Sequence, residues 1–311
     1  IRCDVGGHTR RLPRTAERAM SHADPVSIII PAYNAARWID DTLKSLIAQT
    51  HKNWEAIVVD DGSTDDTARR VSGTGDPRIR CVAQANAGVS VARNRGLAEA
   101  QGAYIAFLDA DDAMYPTNLE TKLSALHRSG ADWAFSDVQP CNAALQPVGA
   151  RWSGRSNDLA LSLLNGDRAG IDAPCSNLLA RRACFNTLGF DPSLSNAADK
   201  DMAFQLAKHR TYIHVPEALV LYRVVPGSMS HSVALFEADL IRFLKKREMA
   251  GDLDDPGLRR QAWAYAYRSI SGSWWHQGGR PMKAIAPLLR ALLLRPSLLI
   301  EQLRTGPRST H

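Results

Sequence analysis

A chain of 311 residues is long enough to bury a large core, and with no repeats or low-complexity tracts it fits one compact domain of about 200 to 220 residues with additions rather than two equal domains. Five cysteines, an odd set with no Cys-x-x-Cys pair, argue against a disulfide framework and a zinc site and point to a reduced, cytoplasmic setting. The net charge of +6 sits in the C-terminal quarter, and no nucleic-acid recognition motif accompanies it.

Residues 1–24 are polar and arginine-containing without an apolar core, so they are not a signal peptide and are expected to be disordered. The first apolar strand is Val26-Ser27-Ile28-Ile29-Ile30, stopped by Pro31 and followed by a helical pattern of Trp38, Ile39, Leu43, Leu46 and Ile47. In the turn between them, backbone groups and the Tyr33 ring are suited to a flat pyrimidine. A second strand, from Glu55, ends in Asp60 and Asp61, whose carboxylates accept from a base N–H or a ribose hydroxyl, while Ser63 reads as the cap of the next helix. Gly88 opens a further helix on which exposed Arg93, and less so Arg95, suits a phosphate. Then Tyr104-Ile105-Ala106-Phe107-Leu108 runs into Asp109, Asp111 and Asp112. Strand, helix, strand, helix makes a parallel sheet, and right-handed crossovers bring all these strand ends to one edge. Clustered carboxylates there call for a hard cation, Mg²⁺ or Mn²⁺, sharing its remaining positions with phosphate oxygens. The alternative for the last two aspartates is a cap on the helix that starts near Pro116.

Four blocks occur in a fixed order: Ser27 to Asn34, Val59 to Asp65, Asn86 to Gly96 and Phe107 to Asp112. In these the chain resembles glycosyltransferase family 2, inverting nucleotide-sugar transferases, and weaker similarity continues to about Ser230. The resemblance implies a GT-A fold, an α/β, Rossmann-like, mostly parallel sheet flanked by helices. It also implies a nucleotide-sugar donor, a UDP-sugar first, with Mg²⁺ or Mn²⁺. On it Pro31, Ala32, Tyr33, Asp60 and Asp61 line the nucleoside, with the member of the aspartate pair left open. Arg93, Asp109 and Ala110 lie along the rest of the nucleotide. Asp111 is the metal ligand, helped by Asp109, with Asp112 more a cap.

An inverting displacement also needs a base for the acceptor hydroxyl. Gly189-Phe190-Asp191 and Asp199-Lys200-Asp201, ahead of an amphipathic helix from Met202 to Lys208, resemble later family segments and make Asp199 the base. The family's preceding glutamate is Ala198 here, so either a supporting carboxylate is missing or Asp201 shares the role. Tyr212 to Pro216 and Ala218 to Arg223 read as two short strands. Where relatives often carry a histidine this chain has Val225, with His231 the nearest substitute. The expected organisation is a tail at 1–24, a catalytic domain at 25–230 in nucleotide-binding (25–112) and acceptor (113–230) halves, and a basic helical extension at 231–311. From Phe236 onward thirteen basic residues face seven acids, among aromatic and leucine-rich helices interrupted by Arg290 and Arg295. Such helices suit either packing on the domain or an anionic membrane surface bearing a lipid-linked acceptor, on the inner face of the cell membrane. Two rival functions are weighed. A sugar nucleotidyltransferase would want a glycine-rich triphosphate loop where Pro31 to Asn34 stand. A non-catalytic nucleotide-sugar binder is favoured only by Ala198 and Val225.

Overall fold

The computed structural model describes residues 24–154, 158–165, 171, 174–224 and 232–298. Residues 1–23, Val225 and His231 lie outside these. Among the described residues eight strands form one sheet in the order β3-β2-β1-β4-β7-β6-β8-β5. The first half is wholly parallel: β1 (Val26–Ala32), β2 (Trp54–Asp60), β3 (Ile79–Ala83) and β4 (Tyr104–Phe107), linked through α1 (Ile39–Ile47), α2 (Thr67–Gly73) and α3 (Val89–Glu99). These strands are apolar throughout because both sheet faces are covered. Ile29, Ile57, Val59, Ile105 and Phe107 enter one cluster, and Ile28, Ile30, Ala56, Val58, Ala106 and Leu108 the other. From β1 the chain steps first to β2 and later to β4 on the opposite side, which creates a switch point, where open α/β sheets have their ligand crevice.

Pro31 does not stop β1. It pairs opposite Val59, and the strand runs on to Ala32. Odd positions of β1 face β4, whose pairing ends at Ile29 opposite Phe107, so a residue without N–H loses no ladder bond at position 31.

The second half is mixed. It contains β5 (Ala113–Met114), α4 (Asn118–Ser129), β6 (Trp133–Cys141), α5 (Leu159–Asn165), α6 (Pro174–Asn177), β7 (Leu179–Arg181), α7 (Ala198–His209) and β8 (Tyr212–Arg223). β7 is antiparallel to β4 and β6, and β8 runs parallel to β6. The two strands expected between 212 and 223 are one. A register shift opposite Ser136 and Asp137 lets β8 bulge around Pro216 and Glu217 without breaking.

Three helices follow, α8 (Val233–Met249), α9 (Pro256–His276) and α10 (Pro281–Leu294). Phe243 of α8 sets its edge on Phe204 of α7, with ring centroids 6.0 Å apart. Leu240, Leu244, Ala262 and Ile270 join the same buried cluster as Phe107 and Leu206. Asp255 caps α9 by accepting from the Leu258 N–H at 2.6 Å, with Pro256 at the first helical position.

Candidate active site

The tips of β1, β2 and β4 converge at the switch point. At the tip of β1, Tyr33 stands 54% exposed, open to a ligand. Asn34, with φ of 50°, donates its backbone N–H to Ser63 Oγ at 2.9 Å and accepts from the Thr64 N–H at 2.9 Å. Ser63 therefore latches two strand tips together. It does not cap α2, whose cap position is Asp66.

The aspartate pair divides its work. Both oxygens of Asp61 are engaged, accepting from Gln84 Nε2, the Ala87 N–H and the Gly88 N–H at 2.8 to 2.9 Å, which moulds the turn that starts α3. Among the described residues the Asp60 carboxylate accepts only the Ser63 N–H, at 3.0 Å on Oδ1, leaving Oδ2 for a ligand.

Arg93 is not exposed, as the helix pattern suggested, but 4% exposed, inside the site. Its Nη2 meets Asp109 Oδ1 at 2.7 Å and its guanidinium lies 5.3 Å from the Phe190 ring centre. Burial works against this charge, but Asp109 and Asp199 outweigh it and hold the guanidinium protonated. Arg95 is the surface residue, pairing with Glu99 one turn on.

In the acid loop, Thr42 Oγ1 from α1 donates to the carbonyls of both Ala110 and Asp112, at 2.9 and 2.8 Å. Asp112 is no cap either. It is buried, and its two oxygens accept from Ser176 Oγ at 2.5 Å and the Arg223 N–H at 2.9 Å. Burial first, then Asp111 and Asp109, hold its carboxyl well above the ordinary range. Burial and then Asp109 push Asp111 up to about 6. The Asp111 carboxylate has no hydrogen bond from another described residue, so it is the oxygen donor of the loop most in need of a cation. Among the described residues no group of three or more His, Cys, Asp or Glu side chains is set to hold a metal. One or two carboxylates fit an ion that keeps waters and takes its remaining oxygens from a diphosphate, as Mg²⁺ and Mn²⁺ do.

Asp199, in the first turn of α7, is partly buried across from this loop. Burial raises its pKa, Arg93 pulls it down and Asp109 pushes it up, with a net rise, so all three share one electrostatic environment. Its Oδ1 accepts the Lys200 N–H at 2.7 Å. Asp201 is engaged elsewhere. It is 2% exposed and tied to Lys246 at 2.8 Å and Arg247 at 3.1 Å, both on α8.

Residues 27–184, just over half of the chain, match the family model for glycosyl transferase family 2. The chain belongs to that family. It is 42% identical over 114 residues to the putative teichuronic acid biosynthesis glycosyltransferase TuaG of Bacillus subtilis, a match covering 36% of this chain and 45% of the relative. It is 37% identical over 118 residues to the UDP-Glc:alpha-D-GlcNAc-diphosphoundecaprenol beta-1,3-glucosyltransferase WfgD of Escherichia coli, covering 38% and 47%. The chain thus spans less than half the length of these curated relatives. In structure it resembles S. aureus TarS 1–349 in complex with UDP-GlcNAc, with a TM-score of 0.60 at 17% identity over 89% of this chain and 92% of that one. It also resembles the mannosyltransferase PcManGT of Pyrobaculum calidifontis in complex with GDP-Man and Mn²⁺, with a TM-score of 0.57 at 17% identity over 93% and 89%. At such identities these likenesses speak for the fold, and the expected GT-A arrangement is the observed one.

Membership of this family weighs against the nucleotidyltransferase rival. Two residues that hold the transferase's acid loop went unread in its sequence. Ser176 of α6 accepts the Asp109 N–H at 3.1 Å while donating to Asp112. Arg223 donates from Nε to the Asp111 carbonyl at 2.7 Å and from Nη1 to the Ala143 carbonyl, reaches Asp41 at 3.2 Å, and lies 4.5 Å from the Trp38 ring centre. A polar residue closing a strand carried no signal of this, since its partners come from three distant segments.

Proposed function

We propose that the transferase moves a sugar from a nucleoside-diphosphate donor, a UDP-sugar first, onto a glycan or lipid-linked acceptor with inversion, in cell-surface polysaccharide or glycoconjugate synthesis. The observation that carries this reading is the grouping of Asp109, Asp111, Arg93 and Asp199 in one electrostatic environment at the switch point. Tyr33, with Pro31, Ala32 and Asp60 Oδ2, receives the nucleoside, and Asp61 keeps the turn beneath it in shape. Asp111, helped by Asp109, holds Mg²⁺ or Mn²⁺, which when bound neutralises charge on the departing diphosphate. Arg93 keeps Asp109 in position and adds positive potential below the same oxygens. Asp199 presents its second oxygen to the acceptor hydroxyl and takes that proton as the hydroxyl oxygen bonds the anomeric carbon and the bond to the diphosphate breaks. Attack from the face opposite the leaving group turns an α-linked donor into a β-linked product.

The test is metal-dependent release of nucleoside diphosphate from a panel of nucleotide-sugars. Asp199→Asn is expected to lower turnover by about 10² or more with nucleotide affinity kept. Asp111→Ala should remove the response to Mn²⁺. Full turnover in Asp199→Asn would remove the base from this scheme.

The reading extends to an anionic lipid surface as the place where the acceptor is met. No described helix is long and apolar enough to cross a membrane. Residues 256–298 nevertheless carry seven basic residues and no acid. Met282 and Leu293 of α10 are 79% and 83% exposed, with Ile285 and Leu289 exposed on the same face. Ala284, Pro287 and Ala291 on the opposite face are buried. An exposed apolar stripe in a purely basic segment supports contact with acidic headgroups.

A further inference from the structure

The hairpin after β6 contributes a residue that neither the motifs nor the acid loop accounts for. Trp152 lies antiparallel on an edge of β6 that short β7 leaves open, exchanging backbone bonds with Val138 at 2.8 and 2.9 Å. Its neighbours on both sides are held by one carboxylate. Asp137, with no exposed surface, accepts from Ser153 Oγ at 2.8 Å and lies 3.3 Å from Arg151 Nε. The same Asp137 oxygen pairs with His214 Nε2 of β8 at 2.7 Å, so the brace is anchored in the sheet. A loop residue pinned at its backbone and on either side is held for a purpose.

The indole meets the ring of Tyr222, with centroids 5.5 Å apart and planes inclined by 49°. Tyr222 pairs with Pro140 in the β6–β8 ladder and immediately precedes Arg223, the residue that grips the acid loop. Its phenol sits within the field of Asp112, Asp109, Asp111 and Asp199 together. Both side chains are only partly buried, and neither the indole N–H nor the phenol has a hydrogen-bond partner among the described residues. Across the sheet, the nucleoside-facing tips belong to β1 and β2, the acid loop follows β4, and β6 and β8 lie beyond. The ring pair therefore stands on the far side of the acids from the nucleoside.

We infer that Trp152 and Tyr222 form the platform that receives the acceptor sugar. A pyranose presents one face of C–H bonds, which an aromatic surface covers well, and a rim of hydroxyls, which the indole N–H and the phenol serve. The pair holds the acceptor so that its hydroxyl faces Asp199, and takes no part in bond making. This rests on the transferase reading given above.

The probes are p-nitrophenyl hexosides and N-acetylhexosaminides, their binding followed by saturation-transfer NMR with UDP and Mn²⁺ present. Hydrolysis of the nucleotide-sugar without acceptor is measured in parallel. At least one glycoside should bind the wild type, and Trp152→Ala should weaken it about tenfold while donor hydrolysis changes by less than about twofold. Trp152→Phe should recover most of the loss, and Tyr222→Phe should lose only the part owed to the hydroxyl. Undiminished glycoside binding in Trp152→Ala, or no binding of any panel member to the wild type, overturns the platform. Donor hydrolysis separates the two readings: intact hydrolysis with unaltered glycoside binding removes the platform alone, whereas a wild type that cleaves no donor removes the transferase reading and the platform with it.

Discussion

Lys122 of α4 is buried beneath the acid loop, its ammonium 2.6 Å from the Asn177 carbonyl and 3.3 Å from the Asn177 side-chain oxygen. Asn177 adjoins Ser176, so this lysine props the short helix that holds Asp112. Burial alone pulls its pKa down to about 7 from 10.5. A lysine depressed in the fold burdens the native state fully below its folded pKa, and the burden lifts as pH rises toward the unfolded value. The stability difference between wild type and Lys122→Met should therefore move in favour of the wild type between pH 7 and 10, read from denaturant midpoints at each pH. A difference that stays flat over that window would mean the buried amine is protonated throughout. Sequence reading at this scale found the acids and misjudged their company. Asp109 and Asp111 stood out because an apolar strand ended on them. Arg93 looked solvated because its counter-charge lies on another element, and the ion pairs that engage Asp201 come from Lys246 and Arg247, more than forty residues later.

Among the elements, α3 lies unusually close to β1. A Cβ placed on Gly96 would fall 2.3 Å from Ile29 Cγ2, with the helix backbone otherwise ordinary at that point. Gly96→Ala is expected to cost about 1 to 3 kcal/mol through overpacking, despite alanine's better helix propensity. Ile29→Ala should recover part of that loss in the double variant, a coupling that thermal denaturation of the four proteins would reveal. Additive losses would place the strain elsewhere. The βα units were legible because long apolar strands and their crossover helices leave strong periodicities. β5 has two residues and β7 three, too short for any period, so these two antiparallel strands were invisible in advance. Pro216 made one bulged strand look like two, since a proline in an apolar run ordinarily marks a break.

For the whole molecule, the basic segment 256–298 sets a measurable expectation. The wild type should pellet with vesicles containing anionic phosphatidylglycerol and far less with phosphatidylcholine alone, and added salt should weaken the association. Replacing Leu289 and Leu293 by aspartate should release it while donor hydrolysis persists. Equal pelleting of both proteins would assign the stripe another role, and a change in sedimentation coefficient on mutation would point to a second copy of the chain. Arg223 raises a question of timing. Every residue proposed to face the nucleoside precedes position 112, yet the Asp112 carboxylate is met by an N–H that lies 111 residues downstream. Contacts so distant in sequence close late. During synthesis the parallel half would emerge with its acids unarranged and would acquire a competent loop only when the last strand slots beside β6. Chains stalled before that strand should be compact yet unable to hold nucleotide, which keeps unfinished copies from tying up donor.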